Sequence, residues 1–221
     1  MSQLYDHRVW RAVLLVVAGC DRLFGLTPFP DAPTVCFTDH FDAASIDTDH
    51  WTRYETAPAV VAETNGGLAL SLGTAVSYAG VFTAPLDLDG SAIQIDLVQP
   101  PDEGGFDEVG IDMELDKSNH YVIFTANGNV FFRQRAQNVD DESMVQFDPL
   151  RHRQLRIRSD GAMVHFETSD GSTWVEHKTV ATVVPLTSIK ATLYGGAYLP
   201  AGPVTTAVFD NFVISGRCPS M

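Results

Sequence analysis

The sequence predicts an all-β fold, a two-sheet antiparallel sandwich of the jelly-roll kind. Three observations carry this. From Thr34 onward about a dozen short runs of β-forming residues follow one another. Turn signals separate them: Asn65-Gly66-Gly67, Asn127-Gly128-Asn129, Ser159-Asp160-Gly161 and Ser169-Asp170-Gly171. No stretch after Gly25 keeps a 3.6-residue apolar period, so no helical crossovers connect parallel strands.

At the amino end Arg8 and Arg11 precede a short apolar run over residues 12–19, which closes on the small residues Ala18 and Gly19. A charged start, a short apolar centre and a small-residue end have the form of a secretory signal, and eight apolar residues do not span a bilayer. The ending Val17-Ala18-Gly19-Cys20 resembles the bacterial lipobox. That resemblance implies a signal peptide over 1–19, a diacylglycerol on Cys20 and an exported lipoprotein anchored in the cell envelope. The other reading is a signal-like helix with a plain thiol at Cys20. Residues 20–33, with three prolines, read as a tether.

Three cysteines are too few for a disulfide-built miniprotein. With Cys20 assigned to lipid, Cys36 and Cys218 remain as a pair near the two ends of one domain, 34–218. In an oxidising compartment they are expected to bridge, closing a loop of about 180 residues worth roughly 4–5 kcal/mol in the chain-entropy model. The bridge requires the first and last strands to be neighbours. Two free thiols are the alternative.

Strand runs are expected at 34–37, 51–56, 68–72, 77–83, 93–98, 109–115, 121–126, 130–135, 154–158, 163–168, 175–182, 189–194 and 206–214. The acidic run Asp140-Asp141-Glu142 reads as a solvated loop. Period-two alternation sends Ile93, Ile95 and Leu97 inward with Asp96 opposite, and Val109, Ile111 and Met113 inward with Asp112 and Glu114 opposite. Leu155 and Ile157 likewise leave Arg156 and Arg158 outside, and Phe131, Arg133 and Arg135 share a face. One polar sheet face is therefore expected to carry Asp96, Asp112, Glu114, Arg133, Arg135, Arg156 and Arg158, paired across strands or open to a ligand.

In a chain of 221 residues, 14 Lys and Arg stand against 28 Asp and Glu, a net charge of −14. That excludes a general nucleic-acid binder, which needs basic surface to displace counterions. There is no dinucleotide fingerprint, P-loop or nucleophile elbow, hence no expected organic cofactor. The histidines show no strong zinc spacing.

Several segments together resemble the concanavalin A-like lectin/glucanase superfamily, its laminin-G-like branch in particular. These are Cys36-Phe37-Thr38-Asp39-His40-Phe41-Asp42 with Asp47 and Trp51, Asn65-Gly66-Gly67-Leu68-Ala69-Leu70, the hairpin over 109–126, the segment over 156–174, and Phe209-Asp210-Asn211-Phe212. The resemblance implies a jelly roll whose concave face binds or cleaves carbohydrate, with Tyr121, Phe131 and Tyr194 as stacking candidates. It also implies a structural calcium held by Asp210 with backbone oxygens near Asp39 and Gly67, against a reading of Asp210 as a hydrogen-bonding cap. Trp51 and Trp174 read as packing side chains before sugar platforms.

Retaining glucanases of this superfamily carry two glutamates flanking an aspartate on one strand. Here Asp112 and Glu114 are present, but Gly110 stands where the first glutamate belongs, and Glu108 lies two residues too far along. The pattern argues against double displacement. The expected function is non-catalytic binding of glycan or polysaccharide. Alternatives are a glycoside hydrolase, a lyase using His120 and Tyr121, and a structural or adhesive envelope protein.

Overall fold

The computed structural model describes residues 34–101, 107–198 and 204–218. By contacts the chain divides into Met1–Thr34 and Val35–Met221, and the architecture below belongs to the second unit. The signal segment, Cys20 and the tether lie outside the described residues.

Among the described residues fifteen strands build the unit: β1 (Val35–Asp39), β2 (Trp51–Glu55), β3 (Val60–Glu63), β4 (Leu68–Leu72), β5 (Ser77–Thr83), β6 (Ser91–Gln99), β7 (Asp107–Asp116), β8 (Asn119–Ala126), β9 (Asn129–Ala136), β10 (Val139–Gln146), β11 (Gln154–Ser159), β12 (Met163–Ser169), β13 (Trp174–Ala181), β14 (Lys190–Ala197) and β15 (Thr205–Gly216). All pairings are antiparallel. The first sheet runs β13-β12-β11-β6-β15-β4-β3, with β1 also on β15, and the second runs β10-β9-β8-β7-β14-β5-β2. The two-sheet jelly-roll sandwich expected from the sequence is the observed fold.

Tight turns set the hairpin registers. Asn65-Gly66 and Asn127-Gly128 take positive φ at both central positions, 54° and 75°, then 50° and 70°. That backbone twist matches the twist of the flanking strands. Gln137-Asn138 does the same at 52° and 64° without a glycine, and it joins β9 to β10. Asp140, Asp141 and Glu142 therefore lie in an edge strand, not in the solvated loop expected for them.

Inward-facing residues of both sheets form one core, including Ile93, Ile95, Ile111, Met113, Leu155, Ile157, Phe166 and Phe209. Burying each such side chain stabilises by about 1.5–3 kcal/mol. Trp51 is 2% exposed and packs edge-on against Phe212 at 5.0 Å, while its indole N–H donates to Asp39 Oδ2 at 2.7 Å. Trp51 is thus a core residue, as the sequence suggests. Cys36 and Cys218 are bridged, their Cα atoms 5.1 Å apart, and β1 pairs with β15 as that bridge requires.

Candidate functional site

The residues expected on one polar face are divided between two. Asp96, Arg156 and Arg158 lie on the outward face of the first sheet; Asp112, Glu114, Phe131, Arg133 and Arg135 lie on that of the second. Alternation assigns a residue to inside or outside but does not say which sheet its strand joins.

On the first sheet the polar groups satisfy one another. Asp96 accepts from Gln154 at 2.8 Å and from Asn211 at 2.9 Å. Arg156 Nε donates to Glu167 at 2.5 Å, Arg158 reaches the same carboxylate at 3.4 Å, and the Arg156 guanidinium lies 3.9 Å over the Trp174 ring. This face is self-paired, so Asp96, Arg156 and Arg158 do not join the candidate groove.

Tyr121 is also misplaced by the sequence reading. It is fully buried between the sheets, and its hydroxyl accepts from the Val183 and Val184 amides at 3.0 Å each. The near-continuous apolar run of β8 hides its alternation. Register with β7 sends His120, Val122 and Phe124 outward and Tyr121 inward, so His120 and Tyr121 stand on opposite faces and share no reaction.

On the second sheet β7 places Glu108, Gly110, Asp112 and Glu114 in one outward row. Opposite them stand Gly196, Tyr194, Thr192 and Lys190 on β14, and Phe124, Val122 and His120 on β8. Asp112 Oδ2 lies 3.1 Å from His120 Nδ1. Asp112 Oδ1, His120 Nε2 and Thr192 Oγ1 are buried without a hydrogen-bond partner. Buried polar atoms are normally paired, so three unpaired ones on neighbouring outward positions of β7, β8 and β14 set this group apart.

Burial pushes the Asp112 carboxyl up, against the pull of His120. Burial alone lowers the imidazole of His120, and the hydrogen bond and charge of Asp112 outweigh it, leaving His120 raised. Glu114 is raised by burial and then by Asp112, with Lys190 opposing. Glu108 is raised by burial, while the Tyr198 hydroxyl that donates to it works the other way. Tyr54 is pushed up by burial and by the charges of Asp112 and Glu114. Its ring crosses Gly80, where a Cβ would meet the Tyr54 hydroxyl at 2.7 Å.

Aromatic rings border this row. Phe124 and Phe131 stack at 4.8 Å, with the Arg133 guanidinium 4.6 Å over Phe124. Tyr78 and Tyr198, both exposed, meet edge-on at 5.5 Å. Arg133 and Arg135 pair across strands with β10: the Arg133 Nε donates to Glu142 at 2.6 Å, and Arg135 grips Asp140 at 2.6 and 2.7 Å. These partners lie on β10, whose acidic run gives no strand signal in the sequence. Tyr54, Thr192 and Tyr198 carry no signal in the sequence, and only the assembled register brings them to the row.

Gly110 is fixed by its neighbours. A Cβ there would stand 2.1 Å from the Ile123 carbonyl oxygen and 2.8 Å from the Phe124 Cα, so a side chain enters this position only if β8 shifts.

The groups expected to hold calcium are engaged within the protein. Asp39 accepts from the Phe41 amide and the Trp51 indole, Asp210 from Asn211, and the Gly67 carbonyl from the Thr64 amide. Among the described residues no group of three His, Cys, Asp or Glu side chains is placed to hold a metal.

No protein-family model and no curated protein matches the sequence. Solved structures do. The chain is similar to the Bacillus licheniformis beta-glucanase, with TM-score 0.58, 14% identity, and coverage of 85% of this chain and 100% of that one. It is similar to a prokaryotic beta-1,3-1,4-glucanase (lichenase) derived from a mouse hindgut metagenome, with TM-score 0.60, 11% identity, and coverage of 83% and 99%. A structure described with endo-acting O-glycanases of the human gut microbiota matches with TM-score 0.62, 13% identity, and coverage of 82% and 99%. At these identities the likeness is one of fold alone, the two-sheet antiparallel jelly-roll sandwich.

Proposed function

We propose that this chain is an exported, lipid-anchored module that binds glycan on the outward face of its second sheet without cleaving it. The observation that carries the reading is the trio of buried, unpartnered polar atoms on Asp112, His120 and Thr192. Sugar hydroxyls donate and accept, so they suit such a set, and the partly exposed rings of Tyr78, Tyr198 and Phe131 offer apolar faces for stacking. The likeness of fold to glucanases points the same way. Binding is favoured over hydrolysis because Gly110 removes one of the two carboxylates that double displacement needs, and Glu108 stands six residues, about 20 Å of extended strand, from Glu114.

The test is a glycan array and polysaccharide pull-down with the full chain, together with an assay for new reducing ends. Binding lost in Asp112→Ala without any release of reducing ends is the expected result. Reducing ends released by the wild type and abolished by Glu114→Gln would establish the hydrolase alternative instead. Anchoring through Cys20 belongs to the same proposal: the wild type is expected in the detergent phase of a Triton X-114 partition and Cys20→Ser in the aqueous phase. A structural calcium is proposed only through Asp210 with neighbouring backbone oxygens, and an unchanged melting temperature in chelator would remove it.

A further inference from the structure

The row on β7 holds more negative charge than its neighbours compensate. Glu108, Asp112 and Glu114 all face outward along one strand. The cations of the same face have other partners. Arg133 is held by Glu142 and Arg135 by Asp140, one strand beyond β8. Lys190 stands opposite Glu114 in register, but its ammonium also lies 4.8 Å over the Phe82 ring. His120 serves one oxygen of Asp112, which is 7% exposed, and leaves the other with nothing. Across the strand from it Thr192, 5% exposed, has a hydroxyl with no partner.

Burial raises the pKa of all three carboxyls, and it outweighs the more distant pull of Arg133 and Arg135 on Glu108 and Asp112 and of Lys190 on Glu114. Tyr54, Tyr194 and Tyr198 stand among them and add acceptors and hydroxyls but no positive charge. A well-fitting ligand would bring cationic donors to the row, where Glu108 and Glu114 are partly exposed on either side of the buried Asp112. A uronate or sulfate would instead meet three carboxylates on a chain of net charge −14.

Resting on the reading of this face as a glycan site, we propose that the ligand is a cationic amino-sugar glycan, one carrying free amines. Each ammonium makes charge-assisted hydrogen bonds to a carboxylate that the protein leaves undercompensated, and the sugar ring lies against the bordering aromatics. Outward residues two apart repeat at about 7 Å along the strand, so the row presents its acids to successive parts of one extended chain.

The experiment is isothermal titration of the full chain at pH 6 and low salt with four probes. Three are β-1,4-linked hexasaccharides of glucosamine, N-acetylglucosamine and glucose, and the fourth is an oligogalacturonate. The glucosamine oligomer is expected to bind at least tenfold tighter than the other three. Glu114→Gln, at a half-exposed position, and Asp112→Asn are each expected to weaken it about tenfold, while Arg156→Ala on the first sheet leaves it unchanged. A neutral or anionic oligomer binding as tightly, or glucosamine binding unmoved by Glu114→Gln, overturns the cationic assignment and leaves the glycan reading standing. Absence of binding to every glycan in these and the array experiments overturns both.

Discussion

Asp112 and His120 form a pair with one bonded and one open end on each side: Oδ2 lies 3.1 Å from Nδ1, and both Oδ1 and Nε2 are buried without partners. Asp112→Asn removes the charge that holds the His120 pKa up and leaves burial, which lowers it. The His120 pKa is therefore expected to move from above 6.5 in the wild type to below 6.5 in the variant, read from the imidazole proton shifts by NMR. A raised histidine pKa contributes stability that is full below pH 6.5 and is lost as pH rises through the folded value. The raised Asp112 pKa acts in the same direction, since an acid that resists ionisation in the fold destabilises it increasingly above pH 3.8. Wild-type stability relative to Asp112→Asn should thus decline from acid to neutral pH. A difference that grows with pH would contradict this assignment of the proton.

At Gly110 the obstacle is backbone. The Ile123 carbonyl oxygen and Phe124 Cα that a Cβ would meet at 2.1 and 2.8 Å belong to β8 and move only if the strand pair moves. Gly110→Ala is expected to destabilise by about 1–3 kcal/mol or more, the range for overpacking, measured by urea unfolding. Gly110→Glu is expected to do at least as much harm and to yield no glucanase activity. A stable Gly110→Glu protein that releases reducing ends would show that the strand yields and that the glycine alone withholds catalysis.

The two outward faces differ in how their ion pairs respond to substitution. Glu167 has a side chain 8% exposed and serves both Arg156 and Arg158, so Glu167→Ala strands two guanidinium groups beside a buried position. A fully buried broken pair costs about 3–5 kcal/mol, and the partial exposure of both arginines reduces the expectation to about 2–3 kcal/mol. Asp140, 38% exposed and at the sheet edge, is expected to cost about 1 kcal/mol or less in Asp140→Ala despite its two short contacts with Arg135. Denaturant midpoints of the two variants compare them directly. Equal losses would mean that the edge pair is dry.

The difference between those faces also marks how far the sequence could be read. Alternation in β6, β7 and β11 separated inside from outside correctly, and the Asn-Gly turns located two hairpins. Sheet membership escaped because it depends on which distant strand supplies hydrogen bonds, a choice the local pattern does not encode. Gln137-Asn138 adopts the same positive φ as Asn127-Gly128 without glycine, so the turn into β10 carried no strong signal, and the partners of Arg133 and Arg135 were lost with it. In β8 the run Tyr121-Val122-Ile123-Phe124 is apolar throughout, so nothing local shows that Tyr121 faces the core. Asp112 was found, while its open valence and that of Thr192 arise only from register between β7 and β14.

The Cys36–Cys218 bridge joins β1 to the segment just after β15 across a sequence separation of 182 residues. A cross-link over so long a loop restricts the unfolded chain strongly, with a chain-entropy value of about 5 kcal/mol, at the upper end of what disulfides deliver. The β1–β15 ladder and the Trp51, Phe212 and Phe37 packing beneath it remain when the bridge is cut, so the fold should persist at reduced stability. Cys36→Ser/Cys218→Ser is expected to keep the β-sheet circular dichroism of the wild type and to unfold at a clearly lower urea concentration, with the denaturant slope rising as the unfolded chain expands. Reduction of the wild type should reproduce that midpoint. If the double variant matched the oxidised wild type in midpoint and slope, the bridge would contribute nothing, and the ends would be held by the β1–β15 ladder and its aromatic packing alone.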